Sequence, residues 1–340
     1  MITPLLNFIS DKIYTRVGQY RLEVAKYLNE CPFDRLSSLP FKSISIGQSW
    51  GKLFERAWFK ASLNALPRQL NPSLNYAILI DIGGEGLVYD KRGQCVMGIT
   101  NKLSSYGIPP DRPGKWVVPI TLNQAKGFFI DASCNDLFGY VQDGGRIQEA
   151  SLAIINEDWR QLFYDVEVIT DWAYGINDEG SHQPEKSNQK GQNKNQVMVT
   201  LLTELERLII ANKPSHLQEA KAKLRSFYAA QTKNDRLSIF ATGHGHLDIA
   251  WLWSIEEGRR KARRTFATAL NLMERYPNYI FGASQYQLME WIQQDEPTLF
   301  KRIQEKVQRG QFDLQGAFWV ECDLNLPSLE SIIRQIYYGK

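Results

Sequence analysis

The sequence predicts two fold classes in succession: an all-β sandwich and then, across a helical linker, an α/β segment that starts a parallel (β/α) barrel-like domain. Three observations predict it. Residues 42–156 hold short runs rich in Ile, Val, Phe and Trp, separated by Gly, Pro and Asn and lacking a helical period, which is the texture of a many-stranded sandwich. From residue 236 onward strand-like and helix-like runs alternate, an order that implies right-handed crossovers and a parallel sheet. The length of 340 residues, at roughly 150 per domain, allows about two domains with real cores.

The elements follow in chain order. Leu5, Ile9, Ile13, Val17 and Arg21 recur every four residues, with Tyr20, Val24 and Leu28 alongside. This stripe predicts an N-terminal amphipathic helix over 1–30, ended by Cys31-Pro32. The sandwich takes 31–156, with strands expected at 42–46, 56–63, 76–82, 86–89, 94–99, 115–121, 127–132 and 147–155. Asp90-Lys91-Arg92-Gly93 reads as a hairpin turn with Gly where a positive φ is wanted. Residues 157–235 form the helical connector, with helices over 157–174, 197–212 and 215–232. Within it, 177–196 contain no sizeable apolar side chain and read as a flexible loop, because they cannot offset the entropy of being ordered. The segment 236–340 should hold a buried strand at 237–242, a helix at 252–276 stopped by Pro277, and a strand at 279–284. Helix over 285–309, broken near Asp295-Glu296-Pro297, then leads to a strand at 311–319, and Ser328 caps a last helix.

Composition narrows the function classes. Forty Lys plus Arg against 37 Asp plus Glu, 43% hydrophobic and 12% aromatic residues describe an ordinary globular protein and exclude general disorder. Neither nucleic acid nor membrane is favoured as a partner. The best apolar window, 76–82, falls far short of the roughly 18 residues a membrane-spanning helix needs. Asn7, Ser10, Asp11 and Lys12 interrupt any signal-peptide core. Four cysteines without a C-x-x-C pair indicate a reducing, cytoplasmic compartment. The basic run Arg259, Arg260, Lys261, Arg263 and Arg264 follows Glu256 and Glu257 at helical spacing and reads as a solvated helix face rather than a nucleic-acid contact.

The chemistry concentrates after the first parallel strand, in GHGHLDIAWLW. In extended backbone His246 and Asp248 point the same way, offering an imidazole nitrogen and a carboxylate oxygen, a donor pair that suits Zn²⁺. H-x-D alone arises often by chance, and a histidine satisfied by hydrogen bonds is the plain alternative. A second segment after the third strand, FWVECD, places Asp323 on the same carboxyl-terminal rim, where ligand sites of such sheets lie. If that segment is extended, Glu321 shares a face with Asp323 and Cys322 points away.

The segments GHGHLDIAWLWSIEEGRRKARRTFATALNLMERYPNYIF, ASQYQLMEW and FWVECDLNLPSLESIIRQIYYGK resemble glycoside hydrolase family 38, the class II α-mannosidases, in their cytosolic and bacterial branch. WFKASL, GGEGLVYDKRGQCVMGIT and ASCNDLFGY resemble more loosely the β-rich N-terminal domain of that branch. The resemblance implies a zinc-dependent retaining α-mannosidase acting on mannose-containing oligosaccharides. It implies that His246, Asp248 and Asp323 bind zinc, that Asp323 is also the nucleophile, and that Trp251 packs against the sugar. Family members also use a second zinc-binding histidine and an acid/base carboxylate farther along a longer chain. The expectation is therefore an N-terminal fragment, partnered by a second copy or by a complementary C-terminal chain. A non-catalytic remnant that binds sugar or assembles, and a zinc-dependent polysaccharide deacetylase, are the alternatives.

Overall fold

The computed structural model describes residues 3–28, 30–63, 71–101, 116–135, 144–178, 189–211, 213, 215–231 and 238–340. Leu5, Ile9 and Ile13 share one buried face of helix α1 (Thr3–Ile13). The helix expected over 1–30 ends there, because Tyr14–Gln19 is strand β1 and Arg21–Tyr27 is strand β2. Tyr14, Thr15, Val17, Tyr20 and Val24 are β-branched or aromatic residues that favour extended backbone. Pairing of β1 and β2 into sheets overrides the four-residue spacing that continues through Val17 and Arg21.

The apolar runs then become β3 (Lys42–Ile44), β4 (Ser49–Gly51), β5 (Arg56–Ser62), β6 (Tyr76–Asp81), β7 (Glu85–Tyr89), β8 (Cys95–Ile99), β9 (Val117–Ile120), β10 (Gly127–Ser133), β11 (Gly145–Arg146) and β12 (Glu149–Ile155). Gly93 adopts φ 79° in the β7–β8 hairpin, as its turn position requires. Two antiparallel sheets result, in the orders β1-β12-β6-β9 and β3-β2-β5-β10-β7-β8, with β4 and β11 as a small extra ribbon. Between the sheets lies a core that includes Leu22, Phe59, Ile78, Ile80, Val88, Ile130 and Leu152.

Both sheets are covered on their outer faces too, which is why β6 and β12 read as continuous apolar runs rather than alternating ones. Over the four-stranded sheet, Ala77, Leu79 and Ala153 meet α1 and the connector helices α2 (Glu157–Asp178), α3 (Gln189–Ile210) and α4 (His216–Ala229). Part of the segment expected as a loop over 177–196 is helix instead. Residues 177–178 end α2 and 189–196 begin α3, where Gln and Lys are good helix formers, while 179–188 lie outside the described residues.

Over the six-stranded sheet, Trp58, Leu87, Tyr89 and Cys95 pack with Ala262, Phe266, Leu270 and Met273 of α5 (Ile255–Arg275). Behind α5 stand three parallel strands, β13 (Gly243–His244), β14 (Phe281–Ala283) and β15 (Phe312–Leu314), with α6 (Tyr286–Asp295), α7 (Pro297–Gln308) and α8 (Leu329–Gly339). Ser328 caps α8 by accepting a hydrogen bond from the Ser331 amide at 3.2 Å. The buried strand expected at 237–242 is not formed among the described residues 238–242, where Phe240 is 94% exposed. Among the described residues β13 pairs with β14 alone, at the edge of its sheet, so the run before it has no second strand beside it. The described strands show a short parallel sheet and not a closed barrel, for which about eight strands are needed.

The basic run of α5 is not a solvated face. Arg260 is 3% exposed, and Lys261 and Arg264 are also buried, because α5 turns these side chains onto acids that β7 and β10 present outward. Arg260 donates to Asp131 Oδ1 at 3.0 Å (Nη1) and 2.5 Å (Nη2), and the Tyr27 hydroxyl donates to the same oxygen at 2.5 Å. Lys261 Nζ and Arg264 Nη2 donate to Glu85 Oε2 at 2.7 and 2.8 Å. Glu257 accepts from Arg264, from Ser133 Oγ at 2.8 Å and from Asn135 Nδ2 at 2.6 Å. Intrahelical spacing pointed to solvent because it takes no account of strand acids far away in the chain.

The fields in this layer differ by site. Burial raises the Glu85 carboxyl, but Arg264 and Lys261 outweigh it and hold the group at about 2, against an ordinary 4.5. Burial pushes Asp131 up to about 7, against the pull of Arg263 and Arg264. Asp131→Leu is expected to cost about 3–5 kcal/mol in urea denaturation by stranding Arg260, and the double variant with Arg260→Met should recover most of that loss. Because the Glu85 pKa is depressed on folding, its stabilisation is complete above pH 4.5 and disappears as pH falls toward 2. Glu85→Gln should lower the unfolding free energy at pH 7 by on the order of 3 kcal/mol and flatten its acid-side decline.

Candidate functional site

The three parallel strands end on one rim, and each is followed by a residue of the site. β13 leads through His244 to His246 and Asp248, β14 to Ser284 and Gln285, and β15 through a longer loop to Glu321 and Asp323. His246 Nε2 lies 3.2 Å from Asp248 Oδ1, and its Nδ1 lies 2.5 Å from Glu321 Oε2. Ser284 Oγ donates to Glu321 Oε1, and His244 Nε2 stands 3.4 Å from Ser284 Oγ. Burial works to lower the His246 pKa, but hydrogen bonds to Asp248 and Glu321 outweigh it, so the imidazole is held above its ordinary range.

Gln285, buried, ties the loops together. Its Nε2 donates to Leu247 O at 2.7 Å, and its Oε1 accepts from the Glu321 amide at 3.2 Å. Behind the first loop, Trp253 Nε1 donates to Asp248 O at 3.2 Å, and Lys261 Nζ sits 4.5 Å from the Trp253 ring centroid, within cation–π range. α5 presses close to the same loop. A Cβ on Gly258 would lie 2.2 Å from Ile249 O, so only glycine permits this approach. Trp251 is 51% exposed and meets Trp253 edge-on at 5.4 Å between centroids.

Of the residues marked from sequence, the structure brings His246 and Asp248 together and leaves Trp251 at the surface beside them. It does not join Asp323 to them: Asp323 Oδ1 accepts the Asn325 amide at 2.8 Å, and among the described residues no three His, Cys, Asp or Glu side chains form a metal-holding group. Glu321, not Asp323, reaches His246. Sequence reasoning passed over it as the neighbour of Asp323; its signal was a second acid on the same extended face. Ser284 and Gln285 carried no signal without the strand end that places them.

Residues 236–340 match the glycosyl hydrolases family 38 N-terminal domain, and residues 19–163 match the jelly roll domain of alpha-mannosidases. Over residues 236–340 the chain is similar to glycosyl hydrolases family 38. Its relatives include alpha-mannosidase 2C1 of Homo sapiens, 32% identical over 321 residues, covering 91% of this chain and 29% of that protein. Alpha-mannosidase G of Dictyostelium discoideum is 25% identical and covers 100% of this chain and 32% of its own length. An alpha-mannosidase of Saccharomyces cerevisiae is 27% identical, with 90% and 28% covered. The chain thus spans about a third of the length of these relatives. Its sandwich is the jelly roll, and its rim belongs to the segment that matches the hydrolase domain.

Gln285→Ala should leave the Leu247 carbonyl and the Glu321 amide without a partner. A loss of about 1–3 kcal/mol, with faster amide exchange in 244–253 and 319–324, is the expected result.

Proposed function

We propose that this chain is the N-terminal part of a zinc-dependent retaining α-mannosidase that cleaves α-linked mannose from oligosaccharides in the cytoplasm. One observation carries the reading: His246 and Asp248 meet at the carboxyl ends of the parallel strands, within the segment that matches the family 38 hydrolase domain. Four free cysteines suit a reducing compartment. Among the described residues no helix is long and apolar enough to cross a membrane. The domain division of the notional enzyme follows the sequence: helix and sandwich, connector over 157–235, and from 236 the first part of a (β/α) catalytic barrel.

The donor types fit zinc at two corners. His246 Nε2 and Asp248 Oδ1 are neighbours, and Glu321 on Nδ1 supplies the carboxylate that characteristically orients a metal-binding imidazole. Asp323 is the third ligand of the proposal, although in this structure its carboxylate turns to Asn325. Zinc, when bound, would orient sugar hydroxyls. The chain's own groups do the rest. The exposed Asp323 carboxylate attacks the anomeric carbon and forms a glycosyl ester as the glycosidic C–O bond breaks, and water later releases the sugar. Trp251 offers its ring to the sugar's apolar face. Protonation of the leaving oxygen, worth about 10²- to 10⁴-fold, and a second histidine ligand fall to a complementary segment. The exposed Leu329, Ile333 and Tyr337 of α8 offer that segment an apolar face.

The expected outcome with the purified chain and stoichiometric zinc is slow chromophore release from an aryl α-mannoside, abolished by Asp323→Asn. Zinc binding, measured directly by equilibrium dialysis, should be lost in His246→Ala. Zinc binding with no turnover would favour a non-catalytic sugar-binding remnant.

A further inference from the structure

The geometry points to a second saccharide-binding site, on the sandwich and outside the residues assigned above. An open cavity of about 570 Å³ lies where β2, the turn before β5 and the start of α5 meet. Its size is in the range of ligand pockets. Its lining is amphipathic. Leu28 is 95% and Phe54 49% exposed, so apolar groups are held in water rather than packed. Around them stand two ion pairs that cross the cavity wall, Lys26 Nζ to Glu55 Oε2 at 2.6 Å and Arg56 Nη2 to Glu256 Oε2 at 3.5 Å, with Glu30 alongside.

The chemistry selects the ligand class. Cations and carboxylates nearly balance, so neither a phosphate nor a metal cation is favoured. A neutral polyhydroxyl ligand fits. The apolar C–H face of a pyranose stacks on an aromatic ring, and its hydroxyls both donate to carboxylates and accept from Lys and Arg.

Phe54 adds an independent observation. Among the described residues it is the only one other than glycine with a positive φ, at 65°, a conformation that is an outlier for a bulky side chain. The surrounding backbone enforces it: the Phe54 amide donates to Cys134 O at 2.6 Å and the Glu55 amide to Lys52 O at 2.9 Å. Glycine would relieve the strain, yet a ring is carried there and presented to the cavity. Strain kept at an exposed aromatic is the kind found at binding sites. The Arg56–Glu256 pair also joins the cavity to the first turn of α5, directly after the loop that carries Asp248 and Trp251.

The choice of mannose as the sugar rests on the proposed activity, and the site's existence does not. The test is calorimetric titration of the full 340-residue chain carrying His246→Ala and Asp323→Asn, zinc-free, with a linear α-linked mannotetraose. Binding is expected to persist in this background and to weaken at least tenfold on Phe54→Gly, a substitution the local backbone favours, and on Arg56→Gln. Unchanged melting temperature of Phe54→Gly would show that the fold is intact. Absence of binding in that background, or binding indifferent to Phe54→Gly, would overturn the proposal. Hydrolysis of the aryl α-mannoside by the Phe54→Gly chain, with His246 and Asp323 intact, reads the proposed activity separately and should be unchanged.

Discussion

The structure depends on a layer of charge sealed between α5 and the outer face of the six-stranded sheet. Asp131 and Glu85 stand on β10 and β7 on the outer face of the sheet, where an isolated sandwich would leave them in water, and Arg260, Lys261 and Arg264 stand on the matching face of α5. Enclosing such groups is costly unless each is paired and hydrogen-bonded, so α5 has one register in which it can dock. The apolar contacts of Phe266, Leu270 and Met273 with Trp58, Leu87 and Tyr89 supply attraction. The ion pairs supply the position.

That register reaches the candidate site by a short route. Lys261 pairs with Glu85 on the sandwich and lies over the ring of Trp253, whose indole N–H holds the Asp248 carbonyl. Gly258, one turn earlier, lets the helix backbone touch the Ile249 carbonyl. The loop bearing His246, Asp248 and Trp251 is thereby fixed against the jelly roll from behind, and Gln285 fixes it from the side to the Glu321 segment. Side chains held by rigid elements in this way keep their geometry without help from a ligand.

Much of this was legible in the sequence where the physics is local. Within the sandwich the short apolar runs became strands nearly at their predicted limits, Gly93 took its turn and Ser328 its cap, whereas the strands expected at 279–284 and 311–319 shrink to Phe281–Ala283 and Phe312–Leu314. The failures share one cause, which is distance along the chain. Val17 and Val24 keep a helical spacing but lie in strands whose partners are far off, with Ala153 opposite Arg16 and Phe59 opposite Val24. The basic run of α5 looked solvated because its partners sit about 130 or more residues upstream, as with Asp131 and Glu85. Glu321 likewise meets His246 across 75 residues, and nothing in VECD by itself tells which acid turns inward.

The sealed charge layer also bears on how the chain is assembled during synthesis. The sandwich emerges from the ribosome before α5, and until that helix arrives Asp131 and Glu85 remain hydrated on a bare sheet face. Their hydration keeps the naïve face soluble, so the same two carboxylates that later lock the interface first discourage sheet-to-sheet sticking between nascent chains. A surface that is adhesive only toward one correctly charged helix doubles as its own guard.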